Sequence, residues 1–237
     1  MSAADRPVPG EVLSYLEMCT VEGVNLQRGM NFRTRNGISV VLMSLRPGAP
    51  YADRVEDAGQ TLIYEGHDAP RRRGEMDPKS LDQPAVTPKG TRTANGLFMD
   101  AAQNFKGGEA HPERVRVYEK IRSGIWAYNG VFNLVDGWIE QSGGRSVFKF
   151  RLELQDGERT TSPVAAPGLL EHTRLIPTAV KLEVWKRDEG RCTLCGSSDN
   201  LHFDHVIPYS RGGSSLVAGN IQLLCAKHNL EKRDRVI

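Results

Sequence analysis

Two short motifs near the C-terminal end restrict this chain more than anything else in it: CTLC at 192–195 and CAKH at 225–228. Together they offer three thiolates and one imidazole, a donor set suited to a closed tetrahedral Zn2+ site. Four protein ligands leave no open coordination position, so such an ion is structural. It staples a segment too small to bury a large core of its own. The N-terminal MSAADRPVPGEVL has neither a basic n-region nor an apolar h-region, so no secretory signal sends these thiols to an oxidising compartment. Cysteines at knuckle spacing in such a chain read as ligands, not disulfides, and the expected location is the cytoplasm. The fourth cysteine, Cys19 in SYLEMCTVEG, reads as a small buried hydrophobe without a role. On the cysteines alone, a zinc ribbon that only binds and a module that catalyses are both open.

The rest of the 237 residues has room for one good core and a small appended module. A hydrophobic fraction of 39% and a charged fraction of 25% are those of a soluble globular protein. No apolar run approaches the length of a membrane span. ISVVLMSL at 38–45 and TLIYEG at 61–66 predict buried strands, and GLFMDAAQNF at 96–105 has helical spacing. RVRVYEKI at 114–121, YNGVFNLVDGWIE and RSVFKFRLEL predict three more strands. Between them, 67–96 is rich in Pro, Gly and charge and too long for an idle connection. After Leu154 the periodicity fails, and an amphipathic helix resumes in AVKLEVWKRDEG. We therefore divide the chain into a mostly β domain over 1–157, a linker over 158–177 and a metal module over 178–237. Net charge is only +2, but 178–237 holds nine Lys/Arg against seven Asp/Glu, so the basic excess lies in the module.

Between the knuckles runs LHFDHVIPYSRGGSSLVAGNIQLLCAKHNLEKRD, which resembles the HNH (ββα-metal) nuclease motif over its full length. The resemblance implies that His205 is the general base, and that Asp204 and Asn229 hold a catalytic Mg2+ or similar divalent cation. It implies further that Asn220 braces the loop and that Lys232 is the basic residue near the phosphate. The four zinc ligands are Cys192, Cys195, Cys225 and His228. Many family members have His where Asn229 stands, and Cys where His228 stands. The chemistry agrees: phosphodiester hydrolysis needs a base to deprotonate water and a cation to neutralise developing charge. An imidazole with an ordinary pKa of ~6.5 suits the base. A carboxylate with an amide oxygen leaves a hard cation its water positions. His202 alternates onto the other face of the strand and is expected to be structural.

The N-terminal segments VVLMSLRPGAPYADRVEDAGQTLIYEGHD, TANGLFMDAAQNF, RVRVYEKI and YNGVFNLVDGWIEQSGGRSVFKFRLEL resemble, in order and spacing, the SRA (SET and RING-associated, YDG) domain. YNG at 128–130 stands where the family commonly has YDG. The implied fold is α+β: a PUA-like SRA β-barrel with flanking helices, followed by the zinc-stapled ββα-metal module. The implied partner is double-stranded DNA whose modified cytosine is flipped from the stack. A flipped base needs aromatic faces and an acceptor for its exocyclic N4 hydrogens. Tyr51 and Tyr64 are the expected faces and Asp53 the acceptor, with Glu65 beside the pocket. The family's acidic cluster after the first tyrosine reads YADR here, so Arg54 replaces one acid. Arg33, Arg35 and the PRRRG run at 70–74 are expected phosphate contacts or solvated charges.

A modification-dependent DNA endonuclease, similar to type IV restriction enzymes, follows as the expected function. One HNH site nicks one strand, so a double-strand break calls for a homodimer. A zinc-stabilised reader of modified DNA without catalysis is the rival. A nonspecific nuclease with an unrelated β domain is a third possibility.

Overall fold

The computed structural model describes residues 7–71, 76–155, 175–233 and 235–236. Most of the expected linker, and Arg72 to Gly74 of the PRRRG run, lie outside the described residues. The first part of the chain forms β1 (Val12–Ser14), α1 (Tyr15–Glu22), β2 (Met30–Asn31), β3 (Ser39–Met43), β4 (Arg54–Glu56) and β5 (Thr61–Glu65). It continues with α2 (Ala94–Lys106), β6 (Glu113–Arg122), β7 (Ile125–Ser142) and β8 (Arg145–Leu154). The second part holds α3 (Thr178–Arg187), β9 (Leu201–His205), β10 (Ile221–Cys225) and α4 (Ala226–Lys232). The class is α+β, as expected.

The strand path is β2-β3-β6-β7-β8-β5-β4, with β1 on the first residues of β7. β3 pairs parallel with β6, and the remaining ladders are antiparallel. Met30 in β2 and Leu62 in β5 stand far apart on this path yet share one core with Phe98, Met99 and Ala102 of α2. The sheet therefore curls around that helix. α2 starts where Thr93 Oγ1 accepts the Gly96 N–H, an N-cap that satisfies one of the orphan donors of a helix start. Gly137 of β7 lets it approach, since a Cβ there would lie 3.1 Å from Met99 Sδ.

The β6/β7 ladder carries a bulge within YNG. Val117 pairs with Gly130 and Tyr118 with Tyr128, so Asn129 is the extra residue. Gly130 has a φ of 113°, open to glycine and strained for other residues. A bulge re-aims the side chain it carries, and the Asn129 amide lies beside Met43 Sδ and Glu119 Oε2.

In the second part, β9 and β10 form a two-stranded ladder from Leu201↔Cys225 to His205↔Ile221. Phe203, Leu223 and Leu224 pack against Val180 and Val184 of α3, and Val12, Ile121 and Ala127 of the first part join the same cluster. The two parts share apolar packing. Among the described residues no helix is long and apolar enough to cross a membrane.

Candidate functional site

The end of β10 and the first turn of α4 bring the two knuckles together. Cys192 Sγ and Cys225 Sγ lie 3.3 and 3.4 Å from His228 Nδ1, and Cys195 Sγ lies 3.9 Å from Cys225 Sγ. All four donor atoms fall within 4.8 Å of one another. A tetrahedral Zn2+ with bonds of about 2.0–2.3 Å spaces its ligands by roughly 3.5–3.8 Å. The donor set fits such an ion. Burial opposes ionisation of Cys192, but N–H groups of Cys225, Leu194 and Cys195 prevail and lower its thiol to about 6. A thiolate, the ligating form, is thus favoured before any ion arrives.

β9 ends on Asp204 and His205, which line a cavity of about 260 Å3 together with His202, Asn229 and the backbone of Gly10. His205 Nε2 lies 2.7 Å from the hydroxyl of Ser215, a buried residue of the following loop. That loop is clipped by Asn220, whose Oδ1 accepts from Ile207 N at 2.8 Å and whose Nδ2 donates to Ile207 O and Ser214 O. Gly213 is required there, because a Cβ would stand 1.8 Å from Ile207 O. Lys232 is neither solvated nor open to a phosphate. Its side chain is 1% exposed, its Nζ lies 2.7 Å from Asp204 Oδ2, and it donates to His205 O. The ion pair is close but not aligned as a hydrogen bond, since Asp204 Oδ2 has no hydrogen-bond partner among the described residues. His202, expected on the opposite face as a structural residue, lines the same cavity, and burial lowers its pKa.

A second cavity, of about 700 Å3, opens on the sheet-rich part between the 44–53 loop, Tyr15, Lys120 and Trp126. Tyr51, Asp53 and His67 line it. The Asp53 carboxylate accepts N–H groups of Glu65 and Ser44 at 3.0 and 3.2 Å. Burial nevertheless pushes it up to about 6. Tyr51 stacks on His67 with ring centroids 4.5 Å apart and planes 8° apart. The Lys79 ammonium sits 3.9 Å from the Tyr51 centroid. His67 and Lys79 thus both lie against the Tyr51 ring.

Tyr64 does not line this cavity. It is 1% exposed, donates towards Gly29 O and Leu42 O, and lies 2.9 Å from His67 Nε2 through its hydroxyl. Glu65 is also buried, against Lys149 Nζ at 2.8 Å. Arg33 pairs with Glu113 at 2.9 Å, Arg35 is exposed, and neither lines the cavity. Cys19 is half-buried and accepts from Leu26 N.

The ββα arrangement with its two knuckles coincides with a known family. Residues 192–235 match the HNH endonuclease family. No curated protein matches the chain. Among solved structures, the chain is similar to the SUVH5 SRA domain in complex with fully methylated CG DNA. Identity is 20% over 71% of this chain and 94% of that one, with a TM-score of 0.45. The SUVH5 SRA domain bound to fully hydroxymethylated CG DNA gives 20% identity over 68% and 89%, TM-score 0.42. Arabidopsis thaliana SUVH6 in complex with SAM gives 17% over 74% of this chain but only 28% of that chain, TM-score 0.40.

Three residues of these sites escaped the sequence reading. Ser215 is one serine among several in SRGGSS, and only the fold selects it. His67 was within reach, since it follows Tyr64 in YEGHD. Lys79 lies in the long 67–96 segment, and its place over Tyr51 is tertiary.

Proposed function

We propose that the protein is a modification-dependent DNA endonuclease, in which residues 1–157 bind duplex DNA carrying 5-methylcytosine or 5-hydroxymethylcytosine and residues 178–237 hydrolyse a nearby phosphodiester. The carrying observation is the HNH match over 192–235, with Asp204 and His205 facing one cavity. Beside it stand the SRA-like motifs and the lining of the second cavity. In the cutting step His205 takes a proton from the attacking water, with Ser215 fixing the orientation of its ring. Lys232 holds Asp204 in place from the buried side. Asp204 and Asn229 are the residues that would hold a divalent cation such as Mg2+, and their oxygens suit a hard ion. Such an ion supplies charge neutralisation at the phosphate and the leaving oxygen. Zn2+ at Cys192, Cys195, Cys225 and His228 has no open position and keeps the module folded.

In the reading step a flipped base takes the face of Tyr51 now under Lys79. Lys79, with a side chain 42% exposed, is held there by an ion pair with Asp68 at 3.0 Å and by Pro50 O, and gives way when the base enters, whereas His67 is fixed from inside by Tyr64 and Asn95. Asp53 accepts the N4 hydrogens of cytosine, and the freed Lys79 is available to a phosphate. Metal-ligating thiolates fit a reducing cytoplasm. Two copies, each nicking one strand, make a double-strand break. The test is plasmid nicking with Mg2+ and with chelator, on methylated and unmethylated DNA. Metal-dependent cutting of the methylated plasmid is expected. Preferential binding without cutting would identify a reader without catalysis, and equal cutting of both plasmids a nonspecific nuclease.

A further inference from the structure

Three buried side chains join the two parts of the molecule. Lys181 of α3 donates to Glu119 Oε2 of β6 at 2.7 Å and to Asn129 Oδ1 at 2.6 Å, and Asn129 Nδ2 donates to Glu119 Oε2 at 3.0 Å. All three are at most 3% exposed. Asn129 is available for this because the YNG bulge turns it out of the β6/β7 ladder. A backbone seam runs alongside. Gly10 donates its N–H to Tyr128 O and accepts from Phe203 N, each at 2.9 Å, and Glu11 bridges to His202. The stretch from Gly10 into β1 thus lies between β7 on one side and β9 on the other. Gly10 has a φ of 93°, and a Cβ there would stand 2.9 Å from Phe203 O. The seam ends one residue before Asp204.

We propose that Lys181, Glu119 and Asn129, with the Gly10 seam, are positioning residues that lock reader and nuclease into one body, so that cleavage falls at one fixed offset from the modified base. The inference rests on the function proposed above. Magnitudes favour it: one base pair spans about 3.4 Å along the duplex axis, larger than the play that buried hydrogen bonds allow. A buried charge loses its solvation and needs its partner, so the polar lock has one arrangement.

The test uses the full-length chain and duplexes with a single modified cytosine, end-labelled so that each cut is mapped to the base. Lys181→Met removes the side-chain part of the lock but leaves Glu119 charged and buried. The double variant Glu119→Gln with Lys181→Met removes the charges together, so the fold is kept. Wild type should cut each strand at one dominant offset. The double variant should keep its zinc and its preference for the modified duplex, while its cuts spread over several neighbouring phosphates and the share at the dominant offset falls by half or more. A double variant that still cuts at the single wild-type offset would overturn the lock. So would a wild type that is modification-dependent yet cuts at scattered offsets. If wild type cuts modified and unmodified duplexes equally, the proposed function fails and this inference falls with it, an outcome distinct from the other two.

Discussion

The HNH segment and the sheet-rich part assemble their sites by opposite routes. In the first, a run of neighbouring residues supplies nearly everything: Asp204 and His205 end one strand, Asn220 precedes its partner strand, and four donors within 4.8 Å close the unit. Metal-binding energy can stand in for the core that so short a segment lacks. In the second, the cavity is built from separate loops and strands, from Tyr15 to Trp126, on a sheet that folds around α2 by ordinary apolar burial. A site held by local chain and metal fails all at once, whereas one spread over a hydrophobic scaffold loses its contacts one at a time. Mutations distinguish the two.

The largest effect is expected from Cys192→Ser. Structural zinc sites contribute about 10–16 kcal/mol of apparent binding energy in small peptides, so the module should lose its metal, its fold and all cutting. Zinc content and nicking rate measure this, and a soluble, zinc-free, active variant would break the comparison at its root. Next is His205→Ala. Removing a general base typically costs about 10^2–10^4 in rate. Single-turnover cutting should fall by that factor, with zinc content and modified-duplex affinity unchanged. Substantial residual cutting would remove His205 from its role.

The two tyrosines separate two roles within the sheet-rich part. Tyr51→Ala should lose about 1–3 kcal/mol of base stacking, a drop of about 10–100-fold in affinity for the modified duplex at fixed salt. The salt-dependent background on unmodified DNA should remain. Tyr64→Ala should instead act on stability, because its ring lies in the core and its hydroxyl bonds backbone carbonyls. If Tyr64→Phe lowers the ratio of modified to unmodified affinity as much as Tyr51→Ala does, the aromatic roles are reversed.

The smallest effect is a pH dependence. Asp53 is raised from 3.8 to about 6, so it contributes stability that is present below 3.8 and lost as pH rises through 6. His67 is lowered from 6.5 to about 4, so it contributes stability that is present above 6.5 and lost as pH falls through 4. Both shifts arise mainly from burial, and over this window they oppose each other. Wild-type urea midpoints should therefore vary little between pH 4 and 6.5 on account of this pair. Asp53→Asn should leave the His67 slope alone, with stability rising with pH by on the order of 3 kcal/mol. A variant profile parallel to wild type would show that Asp53 does not titrate in this window.

How much was legible in the sequence follows the same divide. The knuckles, the Asp204-His205 pair and the strands from Glu113 to Leu154 could be read directly, because ligand spacing and period-two alternation are local in the chain. Lys232 could not, since a lysine in EKRD looks solvated. Only the register of α4 against β9 buries it on Asp204. Tyr64 and His67 were read in the wrong order of importance for the cavity. Alternation shows that Tyr64 and Thr61 to Glu65 form a strand, but not which face meets α2 and which the cavity. The contact of Lys181 with Glu119 and Asn129 joins residues far apart in sequence across two parts that composition had separated.

The central claim is that one chain couples recognition of a modified cytosine to cleavage. It is tested most directly by the ratio of initial cutting rates on two duplexes that differ in one modified cytosine, at the same Mg2+ and salt concentrations. One methyl group in an apolar pocket discriminates by roughly 10–200-fold, and a ratio in that range is predicted for wild type, falling towards one in Tyr51→Ala. A wild-type ratio near one would contradict the account.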